Sequence, residues 1–350
     1  MHRHPFFSRF CLFILSTCIT LILCEGLARL FLPVYRVGPG LTQYDAVLGQ
    51  VHKKNLRAVR WSPEFSITVS TNSLGFRGPD IEVPFPCHVP VLLFVGDSFT
   101  IGDGVNDGEE FPQLIAKRLG SEVGQPPIQV INAGIADSGT TRALKFLNWY
   151  AKEWKNPTVL IYQLFSNDFY DNTREGFYSL DSNGRLVERS GPAPKSLMRR
   201  LQPVVNSIPG FSRSYLIAGT RDMFVQSIRW GSSSGSLDSQ TLRYQELLTS
   251  RLVEELARLA RSNGWPLVGL VVGLSTQQEI GVRAIYDRFG ATTVAVPDKS
   301  MRPDLYYKID LHWHKRGHAY VAELLLPVIK AKIAKLRNAR GVRIVEHEQA

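Results

Sequence analysis

Cysteine is scarce, at four residues in 350, and three of them (Cys11, Cys18 and Cys24) fall near the N-terminus. Cys87 alone remains for the rest of the chain. No disulfide can form within that part, so its fold must stand on its core. Internal repeats are absent, as are helix-turn-helix, zinc-finger and base-stacking signatures. Acidic residues are in deficit: 31 Asp and Glu face 41 Lys and Arg, for a formal net charge of +10. A basic surface suits nucleic acid, an anionic polymer or a membrane. Without a recognition motif, nucleic acid is not expected as a partner. Much of the excess charge lies in "KAKIAKLRNARGVR" (Lys330 to Arg343) and around "VHKKNLRAVRW". The plainest account of the former is a solvated tail.

Long uncharged apolar runs are also missing, with one exception, Phe10 to Cys24. That run is short for the about 20 residues that cross a bilayer, but apolar residues resume from Gly26 to Val34. Glu25 and Arg29 stand four apart, so they can pair on one helical face. Arg3 and Arg9 precede the run and hold the N-terminus in the cytoplasm. The expectation is a cytoplasmic segment 1–9, an uncleaved signal anchor or transmembrane helix 10–33, and an exported body. That body would be single-pass at the cell membrane, on the extracytoplasmic, periplasmic side. A cleaved signal peptide is the competitor, although no small-x-small cleavage site follows. "LILC" resembles a lipoprotein site weakly, because Leu23 is bulky where a small residue belongs.

Residues 34–88 read as a lead-in containing one strand candidate, "FSITVSTNS". From Val89 the pattern changes. "VPVLLFVG", "IQVINAG", "PTVLIYQL", "WPLVGLVVG" and "ATTVAVP" are short, nearly continuous apolar runs of the kind buried on both faces of a parallel sheet. Amphipathic helical stretches separate them, several closed by glycine. This alternation predicts an α/β fold. It is a three-layer αβα sandwich on a mostly parallel five-stranded sheet, spanning 89–336, with a basic tail 337–350. Residues 169–240 contain "RSGPAPKS" and "GSSSGS" and no clear strand. They read as an insertion over the site or as flexible linker.

Ligands of such sheets bind beyond the carboxyl ends of the strands, where "VLLFVGDSFTIGDG" places Ser98. A serine hydroxyl becomes a nucleophile only beside a base. Three of the eight histidines gather in "YKIDLHWHKRGHAY". Asp310 precedes His312 by two residues, and in an extended segment such side chains face one way, roughly 6.6 Å apart. A triad Ser98–His312–Asp310 is therefore allowed. Acyl transfer also needs oxyanion donors. Candidates are the backbone N–H groups of Ser98 and Gly134 and the side-chain amide of Asn167.

Four stretches resemble, in order, the blocks of the SGNH (GDSL-type) hydrolase family. "GDSFTIG" is similar to its first block and implies Ser98 as nucleophile. "NAG" resembles the second, with Gly134 as oxyanion donor, and "SND" the third, with Asn167 as donor. "DLHWHKRGH" resembles the last and implies Asp310 and His312 as the acid–base pair. Phe165 stands where the third block usually has glycine, and one residue instead of two separates Asp310 from His312. These departures put a lipase-like substrate in question. The "D-x-H-W" form, "TNSLGFRG" and "EGLARL" resemble a membrane-anchored branch linked with exopolysaccharide O-acetylation and deacetylation.

The resemblance implies an exported ester hydrolase, without cofactor, acting on acylated glycan or another ester. Alternatives are an O-acetyltransferase using the same triad and a non-catalytic glycan-binding scaffold. A phosphate-binding loop at Ser98 would leave His312 and Asp310 without a role. A zinc site on His312 and His314 would need a third ligand, such as His318 or Asp168. Asp168 and Asp171 read as turn formers. Phe169, Tyr170, Phe177 and Tyr178 read as pocket lining or packing of the insertion. Protein partners cannot be read from the sequence.

Overall fold

A computed structural model describes residues 5–31, 38–83, 85, 89–121, 128–153, 157–189, 213–220 and 238–339. Cys87, the tail beyond 339, and 190–212 and 221–237 of the expected insertion lie outside the described residues. Helix α1 (Pro5–Phe31) contains a 25-residue stretch from Phe7 that is, on average, apolar enough and long enough to cross a membrane. At 1.5 Å per residue that stretch is about 37 Å long, more than the roughly 30 Å hydrocarbon core.

Toward the end of α1, Arg29 pairs with Glu25 at 2.9 Å, as the four-residue spacing predicts. The same Glu25 carboxylate accepts from Ser214 Oγ (2.7 Å) and from the backbone N–H groups of Tyr215 (3.0 Å) and Leu216 (3.1 Å). It thereby caps a short helical segment at 215–220. That segment buries Ala218 beside Trp61 and Tyr215.

The lead-in folds into two antiparallel pairs where the sequence suggested a single strand. They are β1 (Thr42–Gln43) with β2 (Val51–His52), and β3 (Arg57–Trp61) with β4 (Ser66–Ser70). The central sheet follows, built from β5 (Val91–Val95), β6 (Gln129–Asn132) and β7 (Val159–Phe165). Between β7 and its next strand lie helix α5 (Asp168–Glu175) and a hairpin, β8 (Tyr178–Leu180) with β9 (Leu186–Glu188). This hairpin corrects the expectation that residues 169–240 lack strands. The sheet is completed by β10 (Leu267–Val272) and β11 (Thr292–Val296). All its neighbours are parallel, in the order β11-β10-β7-β5-β6.

Alternation along β5 shows why both faces must be covered. Val91, Leu93 and Val95 enter one core, and Leu92 and Phe94 enter the other. The first core is closed by helices α4 (Thr140–Glu153), α6 (Ser239–Ser262) and α7 (Thr276–Arg288). The second is closed by α3 (Phe111–Gly120) and α8 (Lys315–Ala339). The result is the expected three-layer α/β sandwich. Because β5 has β6 on one side and β7 on the other, the chain reverses its winding at β5. Sheets of this kind bind ligands at such a reversal, beyond the carboxyl ends of the strands.

Candidate active site

Ser98 sits where β5 ends, at the first position of the one-turn helix α2 (Ser98–Ile101). Asp97 caps that turn, its carboxylate accepting from Phe99 N at 2.8 Å. Gln163, a polar residue within the apolar β7, fixes the turn from below. Its Oε1 accepts from Asp97 N (3.1 Å) and from Thr100 Oγ1 (2.8 Å). Arg77 holds the other end with a fully buried guanidinium that donates to the carbonyls of Ile101 (2.7 Å), Gly102 (2.5 Å) and Val105 (2.7 Å). Gly102 closes the helix at φ +83°, a left-handed conformation that favours glycine.

His312 faces this serine across 214 residues of sequence, with Nε2 2.7 Å from Ser98 Oγ. Its Nδ1 lies 2.5 Å from Asp310 Oδ1. Asp310 as a carboxylate can only accept, so the Nδ1 proton belongs to that bond. Nε2 then keeps a lone pair toward the serine hydroxyl. The Asp310 side chain is 5% exposed and that of His312 16%, so the pair is sheltered while the ring still reaches solvent. Phe99 packs against the His312 ring with centroids 4.9 Å apart, and Trp313 packs on Phe99 at 4.5 Å.

Asp310 and His312 do not lie in the extended segment the spacing suggested. They sit on a tight loop closed by Tyr307 N–H donating to His312 O at 2.8 Å. Between them Leu311 has φ +71°. A left-handed conformation costs a side-chain-bearing residue about 1–2 kcal/mol, and such strain gathers at functional sites. The turn of backbone at Leu311, in place of strand pleating, brings the two side chains together.

Gly134 follows β6 and lies against α2. A Cβ there would stand 2.3 Å from Ile101 N, so only glycine allows the two loops to meet so closely. Its N–H donates to Asn132 Oδ1 at 3.2 Å. Asn167 follows β7, the other neighbour of β5, and its Nδ2 donates to Asp171 Oδ2 at 3.1 Å. Ser98 N, first in its helix, has no acceptor within that helix. The three expected oxyanion donors thus come from the carboxyl ends of three adjacent strands.

Asp168 and Asp171 are not turn formers; they open helix α5 (Asp168–Glu175) and are buried. Tyr162 OH donates to Asp168 Oδ2 at 3.1 Å. Burial pushes the carboxyls of Asp97 and Asp168 upward; the charge of Asp171 raises both further, and that of Asp97 adds to Asp168. Neither Asp97 Oδ2 nor Asp168 Oδ1 has a partner among the described residues. Phe177 and Tyr178 pack in the core, while Tyr170 is exposed. His318 is buried, accepting from Phe111 N at 3.3 Å, and His314 accepts from Arg316 N at 3.1 Å. Among the described residues no three His, Cys, Asp or Glu side chains gather as a metal site. At Ser98 the turn is four residues long and Asp97 already takes the Phe99 N–H, which leaves little of a phosphate cradle.

Sequence reasoning missed Gln163, Arg77 and Glu64. A lone glutamine in "VLIYQLF" was the available signal for the first. Glu64 has none: it lies in the β3–β4 turn and bonds the backbone of a loop about 245 residues onward, at Lys308, Ile309 and Asp310.

The chain matches no protein-family model. A stretch of 89 residues is 34% identical to an uncharacterized protein of Mycoplasma pneumoniae, spanning 25% of this chain but 10% of that relative's length. Solved structures with a similar chain path include LAE5, an alpha/beta hydrolase enzyme from the metagenome of Lake Arreo (11% identity, TM-score 0.41, 69% of this chain and 96% of that one). A G-D-S-L family lipolytic protein of Veillonella parvula also matches (10% identity, TM-score 0.39, 69% and 99%). So does a two-domain esterase active on acetylated mannans (13% identity, TM-score 0.38, 70% and 50%). What the site can do is read from its own atoms: a hydroxyl, an imidazole and a carboxylate in hydrogen-bonded series at the mouth of a parallel sheet.

Proposed function

We propose that this chain is a serine-type ester hydrolase of the SGNH (GDSL-type) family. It would be held at a membrane by α1 and act on O-acyl, preferentially O-acetyl, groups of an envelope or secreted glycan. The observation that carries the reading is the unbroken series from Ser98 Oγ through both nitrogens of His312 to Asp310. In it, His312 Nε2 takes the Ser98 proton as Oγ attacks the ester carbonyl. The oxyanion that forms is met by the N–H group of Ser98 and, once released from Asn132 and Asp171, by the Gly134 N–H and the Asn167 amide. Collapse expels the alcohol oxygen, which takes that proton from His312, and leaves an acyl-serine. Water, deprotonated by His312, then attacks the acyl carbonyl; collapse breaks the bond to Ser98 Oγ, which regains its proton from His312 as the acid leaves. Asp310 holds the ring in the tautomer both half-reactions need.

The glycan as substrate rests on the likeness of "D-x-H-W" and "EGLARL" to the exopolysaccharide branch. Retention of α1 is supported by Glu25, whose removal with the helix would leave the Ser214, Tyr215 and Leu216 donors without their acceptor.

The test is labelling of the detergent-solubilised chain by a fluorophosphonate, with acetate release from an acetylated glycan measured in parallel. Label at Ser98, and loss of both signals in Ser98→Ala, are expected. A folded wild-type chain that takes no label at Ser98 sinks the reading. Labelling without acetate release keeps the esterase and removes the glycan acetyl group as its substrate.

A further inference from the structure

We propose that Glu64, from outside the αβα domain, is the residue that positions the Asp310–His312 pair. This role rests on the esterase reading of the site. Three consecutive backbone N–H groups, of Lys308, Ile309 and Asp310, converge on the Glu64 carboxylate at 2.7, 2.8 and 2.7 Å. Successive amides turned inward in this way form an anion-binding hollow, and here the anion is supplied by the protein itself. Immediately after the third amide comes Leu311 at φ +71°, then His312. The loop would relax toward more ordinary backbone angles were its amides free to turn outward to water. The carboxylate holds them inward, and with them the direction in which Asp310 projects.

Several contacts make Glu64 a fixed post. It lies in the turn between β3 and β4, where Ser62 Oγ accepts from the backbone N–H groups of Glu64 (3.1 Å) and Phe65 (3.2 Å). Phe65 packs on Tyr307 with ring centroids 5.1 Å apart, and Tyr307 OH donates to Gly104 O at 2.8 Å. Arg60, on β3, reaches Asp103 at 3.1 Å, just beyond the nucleophile helix. The β3–β4 hairpin therefore grips both halves of the catalytic machinery, the serine side through Arg60 and the acid–base side through Glu64.

Glu64 touches no reacting atom, so its loss should act on the chemical step and leave binding of a small ester alone. In Glu64→Gln, a near-isosteric change, kcat on 4-nitrophenyl acetate is expected to fall about 10- to 100-fold with KM within about threefold, as for a modest misplacement of reacting groups. The rate of Ser98 phosphonylation should fall in parallel. Deuterium exchange should quicken at 308–310, and the melting temperature should stay near that of the wild type. Glu64→Asp, which keeps the charge one methylene short, should lie between. Adding Leu311→Gly to Glu64→Gln should restore part of the rate, because glycine holds a positive φ without strain. Wild-type kcat and labelling in Glu64→Gln or Glu64→Asp overturn the role, as does a melting loss with unchanged activity per folded molecule. An unlabelled wild-type Ser98 overturns the esterase reading and the role with it. A labelled wild type with an equally labelled Glu64→Gln overturns the role alone.

Discussion

Asp310 and His312 are separated by Leu311, whose φ of +71° sets the angle between them. Asp310→Asn keeps the shape of the acid but inverts the hydrogen bond, favouring the imidazole tautomer whose proton faces Ser98. A fall in kcat of about 10³- to 10⁴-fold is expected from steady-state kinetics, with the fold unchanged by circular dichroism. The meeting of Ser98, His312 and Asp310, and the places of Gly134 and Asn167 just after the neighbouring strands, could be anticipated because residue type and order carry the signal. The left-handed turn at Leu311 was not, since an exposed leucine gives no hint of its backbone angle.

A second residue-scale effect concerns His52, buried on β2. Burial, reinforced by the charge of Arg77, pushes its imidazole down from 6.5 to about 4. Between those values the unfolded chain binds a proton that the folded chain refuses, so stability falls as pH falls through that window. In His52→Gln that loss is absent. Between pH 7.5 and 4.5 the variant should lose about 2–3 kcal/mol less than the wild type in chemical unfolding.

At the scale of elements, the five sheet strands and their helices could be read from apolar runs and glycine stops. Elements whose buried face is polar could not. Helix α5, "DFYDNTRE", buries Asp168, Asp171, Asn172 and Glu175 beside a single apolar residue, Phe169, so the apolar stripe that marks an amphipathic helix is missing. The hairpin of β8 and β9 has three-residue strands, too short for alternation to register. Close approach between elements gives the sharpest prediction here. In Gly134→Ala the new methyl would meet the backbone of Ile101 and Thr100 at 2.3 and 2.8 Å, so α2 must shift. Ser98 labelling should slow by about 100-fold, in a protein that melts at lower temperature.

Across the whole molecule, α1 and the body are joined by the cap that Glu25 places on residues 215–220. Glu25→Ala should raise the rate of limited proteolysis within 213–220 in the solubilised chain and leave kcat on a small soluble ester unchanged. Gel analysis of the fragments checks this. The sequence disclosed the Glu25–Arg29 pair, because both partners share one helix. Its link to Ser214 could not be anticipated, because it spans 189 positions.

Phe31 and Gly38 are seven residues apart, so the end of α1 and the start of the body stand within about 25 Å of each other. With α1 seated in a bilayer, Ser98 would be confined to the neighbourhood of that surface. Ester groups on a polymer crowded at that surface would meet it often, and freely diffusing oligosaccharides seldom.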